Sequence, residues 1–314
     1  MHRVVLVGAG SRGTGVLARL VASAPEFLDG RPLLVDVVDP RPLPQAADAP
    51  GVTIRIHRAT AVDLAGDPDG PQSVALESGA CPLETDVVLL AQGRPGTRPT
   101  PGQWACADFA DWHGLRYRRP REGDPVDLAD VPAGVDILVR DAGPLTDDLI
   151  APLTLGRGGY YAYGDYRPSG GEPRVHLLPP VRPEWTGPAR PEAAAVWSER
   201  RAALVRAGVA VVHPGADALH ADATRAAFVL GPIASRTLIE PDTGHGPLRA
   251  SADPLLRTLA ERGELAGWSG DGALLDRHGH AHPRRFASGA LPGVDISART
   301  VLSVLAGTPV PVPA

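Results

Sequence analysis

The apolar residues at the start of the chain change from strand-like to helix-like spacing and back again. A short apolar and β-branched run, Val4–Val7, ends at Gly8. Residues 11–24 then place apolar side chains at helical spacing, and Pro25 predicts the end of that helix. A second strand-like run follows at Leu33–Val38. This pattern predicts two parallel strands joined by a helical crossover.

Later apolar runs predict further strands and helices in the same alternation. The sequence indicates strands at 52–56, 73–76, 86–91, 135–139, 209–212 and 226–230, helices at 191–207 and 253–265, and a strand, glycine turn and helix over 285–307. Residues 156–191 are rich in glycine, proline and tyrosine, which predicts a long ordered loop. We therefore expect an α/β fold with a Rossmann-like, doubly wound parallel sheet.

The length of the chain suits two lobes. Its 314 residues exceed the roughly 100–200 residues of a typical domain. The proline- and glycine-rich stretch at 94–102 predicts a crossing between the lobes. We expect residues 1–95 plus 265–314 to form a dinucleotide-binding lobe, and residues 96–264 to form an inserted second lobe.

Composition narrows the class of protein. Hydrophobic residues make up 43% of the chain, enough for a sizeable core, and the net charge of −5 offers no basic footprint for nucleic acid or a membrane surface. We expect no transmembrane helix and no signal peptide, because the apolar runs are strand-sized and the N-terminus enters a strand directly. Cys81 and Cys106 form no motif and indicate reduced thiols in the cytoplasm. The chain has no lysine, which excludes a Walker-type phosphate loop and lysine catalysis.

The first predicted strand is followed by GAGSRG at residues 8–13, a GxGxxG motif that opens the first predicted helix. In this context the motif is typical of a site for the pyrophosphate of a dinucleotide. Gly8 permits the tight turn, Gly10 lets the backbone approach the phosphates, and Gly13 lets helix and strand pack closely. The N-terminus of the helix favours an anion at the same point.

Four more residues belong to this candidate cofactor site. Asp39 ends the second strand, where an acid accepts hydrogen bonds from the adenosine ribose and disfavours a 2′-phosphate. Arg41 would reverse that preference only in part. We therefore expect FAD or NAD ahead of NADP. Ser11 and Arg12 lie in the turn, where Arg12 either touches a phosphate or is solvated. The alternatives are a strand–helix turn that holds no ligand and, for Asp39, a cap before Pro40.

Several segments resemble the two-dinucleotide-binding-domain flavoproteins. They are VVLVGAGSRGTGVLARL with VDVVDPRPL, DVVLLAQGRPG, LTLGRGGYY with PSGGEPR, and SADPLLRTLAERGEL. More narrowly, the chain resembles a shortened member of the bacterial FAD/NAD(P)-binding proteins related to the N-hydroxylating flavin monooxygenases. The resemblance implies FAD on the glycine turn at residues 8–13. It also implies that Gln92, Gly93 and Gly289 lie near the cofactor.

The second lobe departs from this family at its own nucleotide fingerprint. The segment DAGPLT at residues 141–146 keeps one glycine and places a carboxylate where a pyrophosphate would approach. This degraded fingerprint predicts weakened nicotinamide binding in the second lobe. NAD or NADP on the N-terminal glycine turn is the alternative to FAD.

Three histidines and two tyrosines can each be explained either by a functional site or by ordinary packing and solvation. His278, His280 and His282 alternate as metal ligands on one face of a strand would, and they also fit a solvated loop, so no metal is predicted. Tyr160 and Tyr161 are candidates for a pocket, or they pack within their own loop.

These observations predict a flavin-linked oxidoreductase that acts on a small metabolite in bacterial secondary or amino-acid metabolism. The alternatives are an NAD(P)-dependent dehydrogenase, a non-redox cyclase or isomerase, and a non-catalytic subunit on a degenerate flavoprotein scaffold. A small-molecule substrate is the expected partner, with no nucleic acid and no membrane, and a homo-oligomer or a partner subunit fits the same scaffold. The sequence assigns no catalytic acid or base.

Overall fold

The computed structural model describes residues 1–41, 49–93, 95–121, 128–140, 143–179, 191–215, 219–242, 244, 246–288 and 298–307. Its α-helices are α1 (Ser11–Phe27), α2 (Pro101–His113), α3 (Pro144–Thr154), α4 (Pro191–Arg206), α5 (Pro254–Arg262) and α6 (Ala298–Ala306). Within the described residues, no helix is both long and apolar enough to cross a membrane.

The strands of the same residues are short, and most are followed by a turn. They are β1 (His2–Val7), β2 (Leu33–Val38), β3 (Val52–His57), β4 (Ala61–Ala65), β5 (Gln72–Leu76), β6 (Leu83–Thr85), β7 (Val87–Leu90), β8 (Arg116–Arg118), β9 (Asp136–Arg140), β10 (Tyr160–Ala162), β11 (Asp165–Arg167), β12 (Arg174–Leu178), β13 (Ala210–Val212), β14 (Leu219–Asp222), β15 (Ala227–Leu230), β16 (Ile233–Ser235), β17 (Thr237–Ile239), β18 (Gly267–Trp268), β19 (Ala273–Leu275) and β20 (Ala281–Ala287).

The chain folds into two compact units. The first comprises Met1–Pro95 and Pro247–Ala314, and the second comprises Gly96–Gly246. The sequence placed the return to the first unit at residue 265, whereas α5 already belongs to that unit. The physical reason is burial, because three leucines of α5 share an apolar core with Leu64 of β4.

The first unit is built on a seven-stranded sheet with the order β18-β19-β20-β7-β1-β2-β3. The strands from β20 to β3 are parallel to their neighbours, and β18 and β19 add an antiparallel edge. In β1, Val4 and Leu6 pack in one core with α1 and α6, whereas Val5 and Val7 pack in a second core with α5. Because helices cover both faces, the predicted doubly wound α/β sheet is confirmed.

The second unit contains a five-stranded parallel sheet with the order β13-β12-β9-β17-β8. The central strand β9 buries Ile137 and Val139 against α3 and α4, and it buries Leu138 on the other face against α2. An antiparallel sheet of β14, β15 and β16 and a hairpin of β10 and β11 complete the described part of this unit. The α/β layering of the first unit is therefore repeated.

The long loop expected over residues 156–191 is wrong for its described part. That part contains the β10–β11 hairpin and β12, which lies between β9 and β13 in the second sheet. The apolar run that forms β12 is interrupted by His176, which is itself buried. Because a buried polar residue weakens the apolar signal of a short strand, the composition of the surrounding segment suggested a loop.

The end of α1 also differs from the expectation. The helix continues past Pro25 to Phe27. Proline removes its own amide hydrogen, but the residues after it keep theirs, and the amide of Leu28 donates to the carbonyl of Ala24 at 3.0 Å. The chain then leaves the helix through Asp29, whose φ of 49° is left-handed.

Candidate functional site

The site begins at the point where the order of strands in the first sheet changes direction. The chain runs from β1 to β2 and β3 on one side of the sheet, and β7 and β20 lie on the other side of β1. The carboxyl ends of β1 and β7 therefore flank a topological switch point. Ligands of open α/β sheets bind in the crevice at such a point.

Two glycines allow the turn at the end of β1. Gly8 has a φ of 93°, and a Cβ placed on it would lie 2.8 Å from the backbone of Ala91 and of Gln92. A Cβ on Gly13 would overlap the carbonyl oxygen of Gly8. Side chains are thus excluded at both positions, and α1 packs directly on the turn.

The third glycine of the motif leaves an open niche. Gly10 precedes α1 and has extended backbone angles, and no side chain caps the helix there. Within 4 Å, a Cβ on Gly10 would meet the guanidinium of Arg41, at 3.5 Å, and no other described residue. Ser11 and Arg12 form the first turn of α1, and their side chains lie outside the described part of the structure. The helix N-terminus and the bare glycine together suit an anion such as a diphosphate.

Asp39 lies against this turn from the end of β2. Its side chain is 2% exposed, and Oδ2 accepts a hydrogen bond from the amide of Ala9 at 2.7 Å. Oδ1 accepts from the amide of Arg41 at 2.9 Å and from its Nε at 3.2 Å. Burial opposes ionisation, but the hydrogen bonds from Arg41 and from the Ala9 amide outweigh it, so the pKa of Asp39 lies below its ordinary value.

Arg41 covers the niche without being buried in it. Its side chain is 70% exposed, and Nη2 donates to Asp39 at 3.2 Å. Because the guanidinium itself is largely exposed, the Arg41 side chain can move when a ligand enters. A ribose hydroxyl that approaches Asp39 would compete with this guanidinium for the same carboxylate.

Gln92 and Gly93 follow β7 on the other side of the crevice. The Gln92 Nε2 donates to Oδ2 of Asp253 at 2.5 Å, and Gly93 has a φ of 72°. The Gln92 Oε1 is buried and finds no hydrogen-bond donor among the described residues. Gly289, the last residue expected near the cofactor, lies outside those residues.

Asp253 is the residue of this site that sequence reasoning missed. It caps α5, because its Oδ1 accepts the amide of Leu256 at 3.0 Å. Burial raises its pKa, and the hydrogen bonds from the helix amides and from Gln92 oppose that shift. The signal was present in the sequence as an Asp-Pro pair at the start of a helix, which predicts a cap but not its second contact.

The corresponding edge of the second sheet is closed by an ion pair. Arg140, at the end of β9, donates from Nε to Oε1 of Glu240 at 2.7 Å, and the Tyr117 hydroxyl donates to Oε2 at 2.6 Å. Burial, together with the neighbouring Glu240, raises the pKa of Tyr117. Arg140 also donates to the carbonyl of Pro179, at 3.3 Å. These polar groups satisfy one another and leave this edge unlike the open niche at Gly10.

Gly143, the described residue directly before α3, is contacted by another helix of the same unit. Arg201 of α4 donates to the carbonyl of Gly143 and forms a two-point pair with Asp147, at 2.6 and 3.0 Å. Gly143 has a φ of 65°. These contacts occupy polar groups next to the degraded fingerprint, and weakened nicotinamide binding in the second unit stays a prediction of the sequence.

The remaining candidates are two tyrosines and a group of histidines. Tyr160 is exposed, whereas Tyr161 lines a pocket between α3 and α4 and packs against Tyr166. His278 and His280 lie on an exposed turn. In the described ranges, no three His, Cys, Asp or Glu side chains are grouped so that they could hold a metal ion.

The layered sheets with a glycine turn after the first strand form an α/β fold that solved oxidoreductase structures share. The solved structure of an ornithine hydroxylase from Pseudomonas aeruginosa has this fold. It superposes on 98% of this chain and 99% of that chain, with a TM-score of 0.50 and 10% sequence identity. At this identity the likeness concerns the fold alone. No protein-family model matches the chain.

Two curated proteins are similar in sequence over part of the chain. Nitrosuccinic acid synthase of Aspergillus oryzae is 35% identical over 130 residues, which is 40% of this chain and 20% of that protein. L-Aspartate N-monooxygenase (nitrosuccinate-forming) of Streptomyces davaonensis is 36% identical over 137 residues, which is 40% of this chain and 21% of that protein. The match thus spans about a fifth of the length of these relatives.

Proposed function

We propose that the chain binds the ADP half of FAD on the glycine turn and serves as a flavin-linked oxidoreductase. The observation that carries the proposal is the open niche at Gly10, which lies at the switch point of the sheet beside the buried carboxylate of Asp39. The amides at the start of α1 would hold the diphosphate, and Asp39 would accept the ribose hydroxyls.

In this proposal the flavin supplies the electron transfer, and the protein supplies binding and orientation. Gly8 and Gly13 hold the turn in shape, and Gly10 admits the phosphates. Arg41 stays close enough to move from Asp39 towards a phosphate oxygen, because its side chain is largely exposed. FAD is favoured over NADP at this site because a buried carboxylate repels a 2′-phosphate.

The substrate in this proposal is a small amino-acid-like metabolite. Its support is the similarity to proteins named for nitrosuccinate formation and for the N-oxygenation of L-aspartate. Cys81 and Cys106 are free thiols, which suits a reducing compartment, and we place the protein in the cytoplasm on this ground. A partner subunit or a second copy of the chain is a further part of the proposal, to be measured as the mass of the purified protein in solution.

The test is the visible spectrum of the freshly purified protein, followed by titration of the cofactor-free protein with FAD. We expect a flavin spectrum, or a saturable change in flavin fluorescence with one FAD bound per chain. Titration with NAD and NADP serves as the matched comparison. A colourless protein that binds NAD but not FAD would replace the proposal by a dehydrogenase, and one that binds neither would favour a non-redox enzyme or a non-catalytic subunit.

A further inference from the structure

The pair of Gln92 and Asp253 joins parts of the chain that are 161 residues apart in sequence. Gln92 follows β7 after Ala91, and its Cα lies 2.8 Å from the position of a Cβ on Gly8. The side chain of Gln92 therefore starts at the switch-point crevice, beside the glycine turn. Asp253 comes from the first residues of a helix on one face of the same sheet.

The two oxygens of Asp253 have separate partners. Oδ1 accepts the amide of Leu256 and so caps α5, whereas Oδ2 accepts Nε2 of Gln92. The backbone of Asp253 is held as well, because its amide donates to the Ser251 hydroxyl at 3.1 Å. A carboxylate accepts hydrogen bonds and does not donate them, so it orients the Gln92 amide with its nitrogen towards Asp253.

This orientation leaves the Gln92 carbonyl oxygen as an acceptor without a donor. Oε1 is buried and has no partner among the described residues. A buried acceptor left unpaired costs about 1–3 kcal/mol, so such a group is expected to have a partner that completes it. The partner must donate a hydrogen bond, which excludes the diphosphate oxygens and selects a hydroxyl or an N–H group.

We propose that Asp253 is a positioning residue that holds the Gln92 amide so that Oε1 accepts a hydrogen bond from a hydroxyl or N–H group in the flavin half of FAD. The inference rests on the proposed function and deepens it. The glycine turn after β1 and Asp39 after β2 would bind the ADP half. Gln92 would form a hydrogen bond with the flavin half of the same cofactor from across the crevice. It would therefore not contribute to the binding of ADP alone.

The decisive variant is Asp253→Asn. Asparagine is as good a helix cap as aspartate, so its single oxygen stays on the Leu256 amide and its NH2 group faces Gln92. The Gln92 amide then turns over to present its oxygen to that NH2 group. The NH2 group of Gln92 then faces the cofactor in place of its carbonyl oxygen. The size of every side chain and the cap of α5 are preserved.

The measurement is the dissociation constant of FAD and of ADP for the full chain freed of its cofactor. We expect Asp253→Asn to weaken the binding of FAD about 5- to 150-fold, the range given by one unsatisfied buried group, and to leave the binding of ADP unchanged. Asp222→Asn is the matched control. It removes the same charge from a carboxylate that accepts two backbone amides, those of Thr224 and Arg225, in the second unit.

A double-mutant cycle separates positioning from a general loss of structure. In a Gln92→Ala background, Asp253→Asn should have no further effect on FAD, because the amide that it reorients is gone. Asp253→Ser keeps the cap without the second oxygen, and it should weaken FAD less than Asp253→Asn does. Melting temperatures close to wild type in these variants identify the FAD effect as one on binding.

Three results would overturn the inference. They are an unchanged FAD affinity in Asp253→Asn, an equal loss of FAD and ADP, and a full effect of Asp253→Asn in the Gln92→Ala background. If the wild-type protein binds both ADP and FAD and any of these results is found, the proposed function stands and only this inference fails. A wild-type protein that binds neither ligand overturns both.

Discussion

The carboxylate of Asp39 accepts a hydrogen bond from the amide of Ala9, 30 residues earlier in the chain. This bond ties the end of β2 to the middle of the glycine turn. Because Asp39 also accepts two hydrogen bonds from the side chain of Arg41, it fixes the turn and the guanidinium with one side chain. The turn is therefore held in shape by residues from two neighbouring strands.

Gly10→Leu should abolish retention of FAD and leave the fold intact. The backbone of Gly10 is extended, which any residue adopts, but a leucine side chain would fill the niche in front of α1. Gly15→Leu is the matched control, since no described residue lies within 4 Å of its Cβ position. The measurement is FAD bound per chain after gel filtration. Equal retention in both variants would mean that the cofactor binds elsewhere.

Gly13→Ala should destabilise the fold itself. The new methyl group would overlap the carbonyl of Gly8, and overpacking of this kind costs about 1–3 kcal/mol. Gly15→Ala has free space and should instead stabilise α1 by about 0.5–1 kcal/mol, as alanine does in a helix. Urea unfolding followed by circular dichroism measures both. A Gly13→Ala variant as stable as wild type would contradict the close packing of α1 on the turn.

Asp39→Asn should weaken acid sensitivity as well as cofactor binding. The pKa of Asp39 is lowered in the folded protein, so its contribution to stability is complete above the unfolded pKa of about 4 and is lost as the pH falls through the folded value. We expect the variant to lose stability at pH 7 and to show a shallower decline below pH 4. Unfolding midpoints in urea from pH 7 to pH 3 test this, and parallel curves for both proteins would contradict it.

His282 should make the stability of the protein depend on pH in a higher range than Asp39 does. Burial, with the charges of Arg285 and Arg284 against it, lowers the pKa of His282 to about 4, although the nearby Glu264 raises it. The unfolded chain takes up this proton below about pH 6.5, so stability is lost between that pH and pH 4. In His282→Gln the melting temperature should fall less between pH 7 and pH 5 than in wild type. A fall as large as that of wild type in His282→Gln would contradict this prediction.

The Arg140–Glu240 ion pair of the second sheet should contribute more to the free energy of unfolding than an exposed ion pair does. Glu240→Ala leaves the guanidinium of Arg140 partly buried without its carboxylate, and removal of one partner from a buried pair costs about 3–5 kcal/mol. Asp165→Ala breaks the exposed pair with Arg206 and should cost less than about 1 kcal/mol. Urea unfolding of both variants compares them. Equal stabilities would show that the edge of this sheet does not depend on the pair.

The local parts of the fold follow from the sequence because their causes are local. The range of β2, Leu33–Val38, agrees with the apolar run residue by residue. The turn after β1 could be predicted because a GxGxxG motif between a strand and a helix has few other uses. In contrast, β12 was missed because its burial depends on two strands, one of which lies more than 30 residues further along the chain.

The sequence by itself determined the strand–turn–helix unit, the class of the sheet and the glycines on which the candidate site depends, because each of these is encoded in a short pattern of neighbouring residues. Only the tertiary structure decided that Asp253 orients Gln92, that Arg41 lies over the niche and that Glu240 closes the second edge. These contacts join distant segments, and a side chain's direction is set by the packing that brings the segments together.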